Sequence, residues 1–267
     1  MGATIHPTAI VSPKAEIEDN VVIGPYCIVE DKVHIGEGTV LEAFIHLLDF
    51  TELGSTCHIY ENTVLGREPQ DRDFGGEESW VRIGNNVVIR ENVTIHRSSG
   101  EGTTTEVGND CFIMEGVHLG HNVHIGNRVT IANKAGFAGY VTVGDGTVVG
   151  GLAGFHQFVR IGRFCMIGGL SKIVKDVPPF LLVDGHPARV HGINRVGLKR
   201  AGFSSGERQE IKELYRHLYH AGLPFRTAAQ SMPVEGSLAA AEISAFVAQS
   251  KRGVTPWPHV IKGDADD

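Results

Sequence analysis

Histidine crowds one stretch of this 267-residue chain: His118, His121 and His124 stand three residues apart, and His156 follows further on. An imidazole gains and loses its proton near neutral pH, so such a group can take a proton from a hydroxyl as a general base or ligate a metal. The bland alternative is a set of outward polar side chains that the wall of the fold tolerates. Away from them, Gln70 and Asp71 lie in a polar segment, Arg67 to Arg82, whose composition suits a binding loop. The four cysteines, Cys27, Cys57, Cys111 and Cys165, occupy one and the same repeat position, which reads as core packing of free thiols rather than metal binding or disulfides.

What must position these side chains is a repeat. From Ile5 to Ile173 in steps of six there are 29 positions, and 26 carry Ile, Val, Leu or Phe; only Asp71, Glu77 and Glu101 interrupt. A period of six fits neither a helix nor a single strand, and predicts a solenoid whose wall turns a corner every six residues. Three legs make a coil of about 18 residues, with short parallel strands stacked about 4.8 Å apart. Glycine commonly follows the aliphatic, as at Gly24, Gly36, Gly108 and Gly144, and is expected there to supply the backbone angles of the corner. On 18-residue coils His121 and His156 share a corner about 10 Å apart, with Tyr140 on the coil between, so one cluster is expected.

Two segments, Arg67 to Arg82 and Arg97 to Glu106, abandon the pattern and are expected to project as loops. The repeat stops at Asp176-Val177-Pro178-Pro179, because proline removes ladder donors. Beyond it the apolar period becomes helical, with one helix after Ser204-Ser205 ending near Gly222 and a second from about Leu238 to Ser250. The expected domains are a solenoid over 1–180 and a small helical domain over 181–267, with a disordered tail at Asp264 to Asp267. The net charge of −7 gives no reason to bind nucleic acid. No signal-peptide core and no apolar run of 18 residues is found, which predicts a cytoplasmic protein without an integral membrane segment. Met1-Gly2 fails the myristoylation pattern at His6, and the sequon at Asn92 falls inside a coil.

The chain resembles the hexapeptide-repeat acyltransferases, in particular those that acylate UDP-N-acetylglucosamine at the start of lipid A biosynthesis. The motifs that carry the resemblance are IGPYCIV (Ile23 to Val29), IGEGTVL (Ile35 to Leu41), Gln70-Asp71, VTIHR (Val93 to Arg97), IGNRVTIAN (Ile125 to Asn133), HQF (His156 to Phe158), DVPPF (Asp176 to Phe180) and GLKRAGFS (Gly197 to Ser204). It implies an all-β left-handed parallel β-helix with a small C-terminal α-helical domain, assembled as a homotrimer with sites between subunits. It implies no cofactor. The donor would be a 3-hydroxyacyl thioester on acyl carrier protein, and the acceptor a UDP-sugar.

Residue by residue, the resemblance makes His121 the general base and the Gly139 N–H an oxyanion donor. His118, His156 and Gln157 match sugar and pantetheine contacts, Gln70 and Asp71 match loop contacts to substrate, and Asn194 and Arg200 match residues near the nucleotide phosphates. Gly169 matches the floor of the acyl groove, where absence of a side chain admits a hydroxymyristoyl-length chain. Four positions depart from the family: Asn122 replaces the aspartate that orients the histidine, Tyr140 a histidine, Asp73 a lysine and Ala201 an arginine. An amide orients an imidazolium more weakly than a carboxylate, so Asn122→Asp is expected to leave activity equal or higher. A basic stretch with Arg189, Arg195, Lys199, Arg200, Arg208 and Lys212 is expected to meet the acidic carrier protein. Three rivals share the scaffold. An acetyl-CoA-dependent acetyltransferase or an enzyme acting on a related nucleotide sugar, including a 3-amino one, differs in donor or acceptor. A gamma-type carbonic anhydrase binds zinc between histidines five residues apart, a spacing not found inside this repeat. A purely structural solenoid would turn over no thioester.

Overall fold

A computed structural model describes residues 2–257, so the expected tail at Asp264 to Asp267 lies outside the described residues. The repeat winds a left-handed parallel β-helix with three flat faces. One sheet of 11 strands begins at Thr4–Ile5, a second of 9 strands at Ile10–Val11, and a third of 8 strands at Glu16–Ile17. Thr4 pairs with Val22 and Val22 with Val40, one coil per 18 residues. Ile35, Leu47, Ile59, Leu119, Ile131 and Ile173 of the six-residue series are fully buried and run down the centre, with the smaller Val21, Val87, Val117 and the four free cysteines packed between them. Burial pushes the Cys111 thiol up to about 11 and the Cys165 thiol to about 12, which leaves both protonated and inert.

The glycines after the aliphatic do a different job from the one expected. At the regular corners the left-handed backbone falls two residues later, at Tyr26 (φ 58°), Asn122 (φ 57°), Tyr140 (φ 61°) and Phe158 (φ 66°), and at glycine in Gly38, Gly116 and Gly146; Gly66, beside the first loop, is an exception with φ 88°. What the earlier glycine supplies is room. A Cβ on Gly24 would stand 2.4 Å from the Glu42 carbonyl oxygen, and one on Gly144 2.5 Å from the Arg163 nitrogen. Coils stacked at strand spacing leave no space for a side chain pointing along the axis. The non-glycine corners carry a left-handed cost of about 1–2 kcal/mol each, reduced for Asn and Asp.

The strands do not end at the prolines. Leu181–Gly185 pairs in parallel with Met166–Ile167 and then antiparallel with Ala188–Ile193, a hairpin that the six-residue period does not announce. Four helices follow: α1 (Arg195–Arg200), α2 (Ser205–His220), α3 (Phe225–Gln230) and α4 (Leu238–Ala248). A capping box between Ser204 and Glu207 starts α2, and Ser237 caps α4. The short α1 and α3 escape the sequence reading because neither is long enough to show a period. The helices seat on the last coils through the Tyr215 hydroxyl, which donates to the Pro179 carbonyl at 2.6 Å, Arg163 paired with Glu242 at 2.7 Å, and Ser250 donating to Asp176 at 2.7 Å.

Candidate active site

Both loops leave the same corner, between the second and third sheets, on consecutive coils. The first occupies 68–79, between strands Val64–Arg67 and Trp80–Ile83, and the second 97–103, between Thr94–His96 and Thr104–Val107. Arg97 binds them together. Its guanidinium lies 5.0 Å from the Phe50 ring centroid and 4.9 Å from that of Phe74, and donates to the Glu77 carbonyl at 3.1 Å. The Glu77 carboxylate accepts from Gly75 and Gly100; hydrogen bonds from its own backbone N–H first, then from Gly100 and Gly75, hold its pKa below the usual range.

Along the same corner on the following coils lies a cleft of about 790 Å³, roofed by Gln70, Asp71 and Arg72 and walled by His96, His118, His121, Gly139, His156 and Gln157. His121 is 8% exposed and packs edge-on to Tyr140, with ring centroids 5.2 Å apart. Its ring covers Gly139: a Cβ there would fall 2.5 Å from Nε2, so only glycine lets the imidazole lie in this place.

Asn122 fixes the other edge. Its Oδ1 faces His121 Nδ1 at 2.8 Å and accepts from the Ser99 N–H at 3.0 Å, while its Nδ2 donates to Ser98 Oγ at 2.8 Å and to the Ser99 carbonyl at 3.1 Å. Two donor contacts on one side of the amide place the oxygen toward the histidine, so His121 Nδ1 must carry the hydrogen and Nε2 keeps its lone pair. These hydrogen bonds argue against the expectation that Asn122→Asp leaves activity equal or higher. A carboxylate would lose both donor contacts and stand against the Ser99 carbonyl.

His118 shares a hydrogen bond with Thr94 Oγ1 at 2.8 Å, and His96 donates from Nδ1 to the Glu68 carbonyl at 2.5 Å. Burial first lowers the pKa of both, and each is further lowered by a neighbouring histidine: His121 for His96, and His96 for His118. His96 escaped the sequence reading, although it takes the place after the aliphatic where glycine is usual, and Ser98 and Lys172 escaped it too. His124 leaves the cluster. It lies on the third sheet beside Glu106 at 3.4 Å, because the corner at 120–123 ends before it and His124 opens the next strand.

Of the residues singled out in the sequence, Gln70, Asp71, His118, His121, Gly139, His156 and Gln157 meet in this cleft, with Asn122 and Tyr140 against His121. Three do not. Asn194 caps α1, accepting from the Gly197 N–H at 3.0 Å and donating to the Phe164 carbonyl at 2.9 Å. Arg200 is exposed in the last turn of α1, and Gly169 is exposed on the corner between the first and second sheets.

Known proteins are similar to this chain over most of its length. Residues 104–139 fit the family model of the bacterial transferase hexapeptide, and residues 176–255 that of UDP N-acetylglucosamine O-acyltransferase, domain 2. The acyl-carrier-protein-dependent UDP-N-acetylglucosamine O-acyltransferase of Burkholderia vietnamiensis is 44% identical over 94% of this chain and 98% of its own. The Synechocystis protein of the same name is 40% identical over 62% of this chain and 60% of its own. The structure of LpxA from Acinetobacter baumannii superposes with a TM-score of 0.91 at 37% identity, over 94% of this chain and 99% of that one.

Proposed function

Because the chain belongs to the family of acyl-carrier-protein-dependent UDP-N-acetylglucosamine O-acyltransferases, we propose that it moves a 3-hydroxyacyl group from acyl carrier protein to the 3-hydroxyl of UDP-N-acetylglucosamine, the first step of lipid A biosynthesis. The observation that carries this reading is the imidazole of His121, held by Asn122 with its basic Nε2 over Gly139.

His121 Nε2 takes the proton of the 3-hydroxyl, and the oxygen attacks the thioester carbonyl. The negative charge collects on the former carbonyl oxygen, which the Gly139 N–H receives; that N–H enters no backbone hydrogen bond among the described residues. The tetrahedral species collapses, the C–S bond breaks, and the imidazolium returns its proton to the pantetheine sulfur. Asn122 keeps the ring in the required tautomer throughout. Gln70 and Asp71 hold the acceptor from the roof, and His118, kept neutral by burial, offers hydrogen bonds without repelling the imidazolium.

The cleft is open on one side, and apolar side chains stand exposed at the corners: Phe158 is 51% exposed, Leu152 56% and Leu170 69%. A homotrimer in the cytoplasm would cover them and complete the cleft. In that assembly Gly169 floors the acyl groove, and Arg200 reaches the nucleotide phosphates, only from a neighbouring chain. Asn194 keeps its capping duty. The carrier protein would dock on the exposed Lys199, Arg200 and Lys212 of the helical cap.

The test is a mass spectrum of the product formed from UDP-N-acetylglucosamine and a mixture of carrier-bound thioesters. One O-acylated UDP-sugar bearing the hydroxymyristoyl chain is expected. No acylated sugar from any of the thioesters would end this reading.

A further inference from the structure

The far end of the cleft is made by the outward positions of the second sheet. His118 pairs with Gly136, Gly136 with Gly154, and Gly154 with Lys172, one residue per coil. A Cβ on either glycine would meet nothing within 4 Å, so packing does not require glycine at these places. Their effect is to keep the wall bare between His118 and Lys172, a run of three rungs or about 14 Å at strand spacing. Lys172 is exposed, lines the cleft, and has no ion pair or hydrogen bond among the described residues. The other cation of the cleft, Arg72, belongs to the roof loop at the opposite end. Lys172 lies on the last strand of its sheet, beside the helical cap that Arg163 and Arg252 fasten to the solenoid.

We propose that Lys172 is a phosphate-binding residue that receives the phosphodiester of the donor's phosphopantetheine arm. The inference rests on the reaction proposed above. With the thioester carbonyl beside His121 Nε2 and the Gly139 N–H, an extended pantetheine arm of about 15 Å, from ordinary bond lengths, brings its phosphate to the Lys172 end. A glycine-walled channel suits a thin arm, and an ammonium without a partner at its mouth suits a single phosphate. The roof loop at the opposite end carries Gln70 and Asp71, the side chains assigned to the sugar of the acceptor.

The test compares two small donors, hydroxymyristoyl-phosphopantetheine and the same thioester without the phosphate. The intact enzyme should prefer the phosphorylated donor by about tenfold in kcat/KM, as expected for one charge-assisted contact. Lys172→Ala should bring that ratio close to one, and Lys172→Arg should restore it. An unchanged ratio overturns the proposal, as does a variant whose only defect is a weaker trimer. A rise confined to the KM for UDP-N-acetylglucosamine would assign the phosphate contact to the nucleotide and overturn the donor assignment. Calorimetric titration of both donors into intact and variant protein reads the same contact without turnover, so a failure of catalysis counts against the reaction and not against this site.

Discussion

Two corners of the solenoid use one backbone for opposite ends. Between the third and first sheets, the second residue after the aliphatic is Asn85, Asn109, Asn127 and Asp145 on successive coils. Each side-chain oxygen accepts the backbone N–H of the coil before it: Ser55 to Asn85 and Asn85 to Asn109 at 2.8 Å, Asn109 to Asn127 and Asn127 to Asp145 at 2.9 Å. Between the second and third sheets the equivalent places hold His121, Gly139 and Gln157. No such ladder forms there. Among the described residues the His121 ring bonds only sideways to Asn122, and its Nε2 is left facing the cleft. The first corner satisfies itself and is structure; the second withholds its hydrogen-bonding groups from the fold, and those are the groups available to a substrate. A polar group left open costs stability, which is why such a corner sits beside two cross-braced loops and a buried network through Ser98 and Asn122.

Substitutions at the two corners should therefore separate activity from stability. His121→Ala should lower kcat by about 10² to 10⁴ while the melting temperature stays within a few degrees, measured by steady-state kinetics and calorimetry. A variant that loses stability but keeps its rate would reverse the contrast. Gly139→Ala should cost about 10² in kcat, because the new methyl displaces the imidazole; a crystal structure with His121 unmoved would break that explanation. Asn122→Asp should lose roughly tenfold in kcat, with part of the loss recovered at Asn122→Gln only if the longer amide still reaches Ser98 and Ser99. Equal or higher activity in the aspartate would show that the two donor contacts are dispensable.

On the ladder corner, Asn109→Ala should lower unfolding free energy by about 1 kcal/mol and leave kcat alone. The smallest effect is one of pH. Burial holds His96 and His118 below their ordinary value of 6.5, so the fold binds fewer protons there than the unfolded chain does. Their contribution is complete above about 6.5 and falls away as pH drops through the folded values. Urea midpoints should decline on acidification below that pH, and the decline should flatten in His96→Gln.

The repeat was legible because one physical requirement, an aliphatic at every inward corner, is written at 26 of 29 places. The helical cap was legible only where apolar residues recurred at helical spacing over a long enough stretch, as in α2 and α4. The hairpin at Leu181–Gly185 was not, since its pairing depends on the edge that Met166–Ile167 presents rather than on any local pattern. In the site, composition marked the histidines, and resemblance selected His121 among them. What neither conveyed was the direction of the Asn122 amide, which is set by Ser98 and Ser99 more than 20 residues away. For Asn194 the resemblance offered a ligand contact where the chain uses a helix cap, since a residue type records what a side chain can bond to and not what it meets first.

The solenoid is also asymmetric along its axis. At one end the central column stops at Ile5, which is 44% exposed, next to Ile10 at 68%; at the other it runs under Phe180, Tyr215 and the helices, all but sealed from water. In a fold where each coil touches only its neighbours, thermal opening propagates rung by rung from whichever end is loosest. Fraying here has a direction. It starts in the earliest described coils and must unzip several more before it reaches His121, so the catalytic corner is insulated by distance from that looser end.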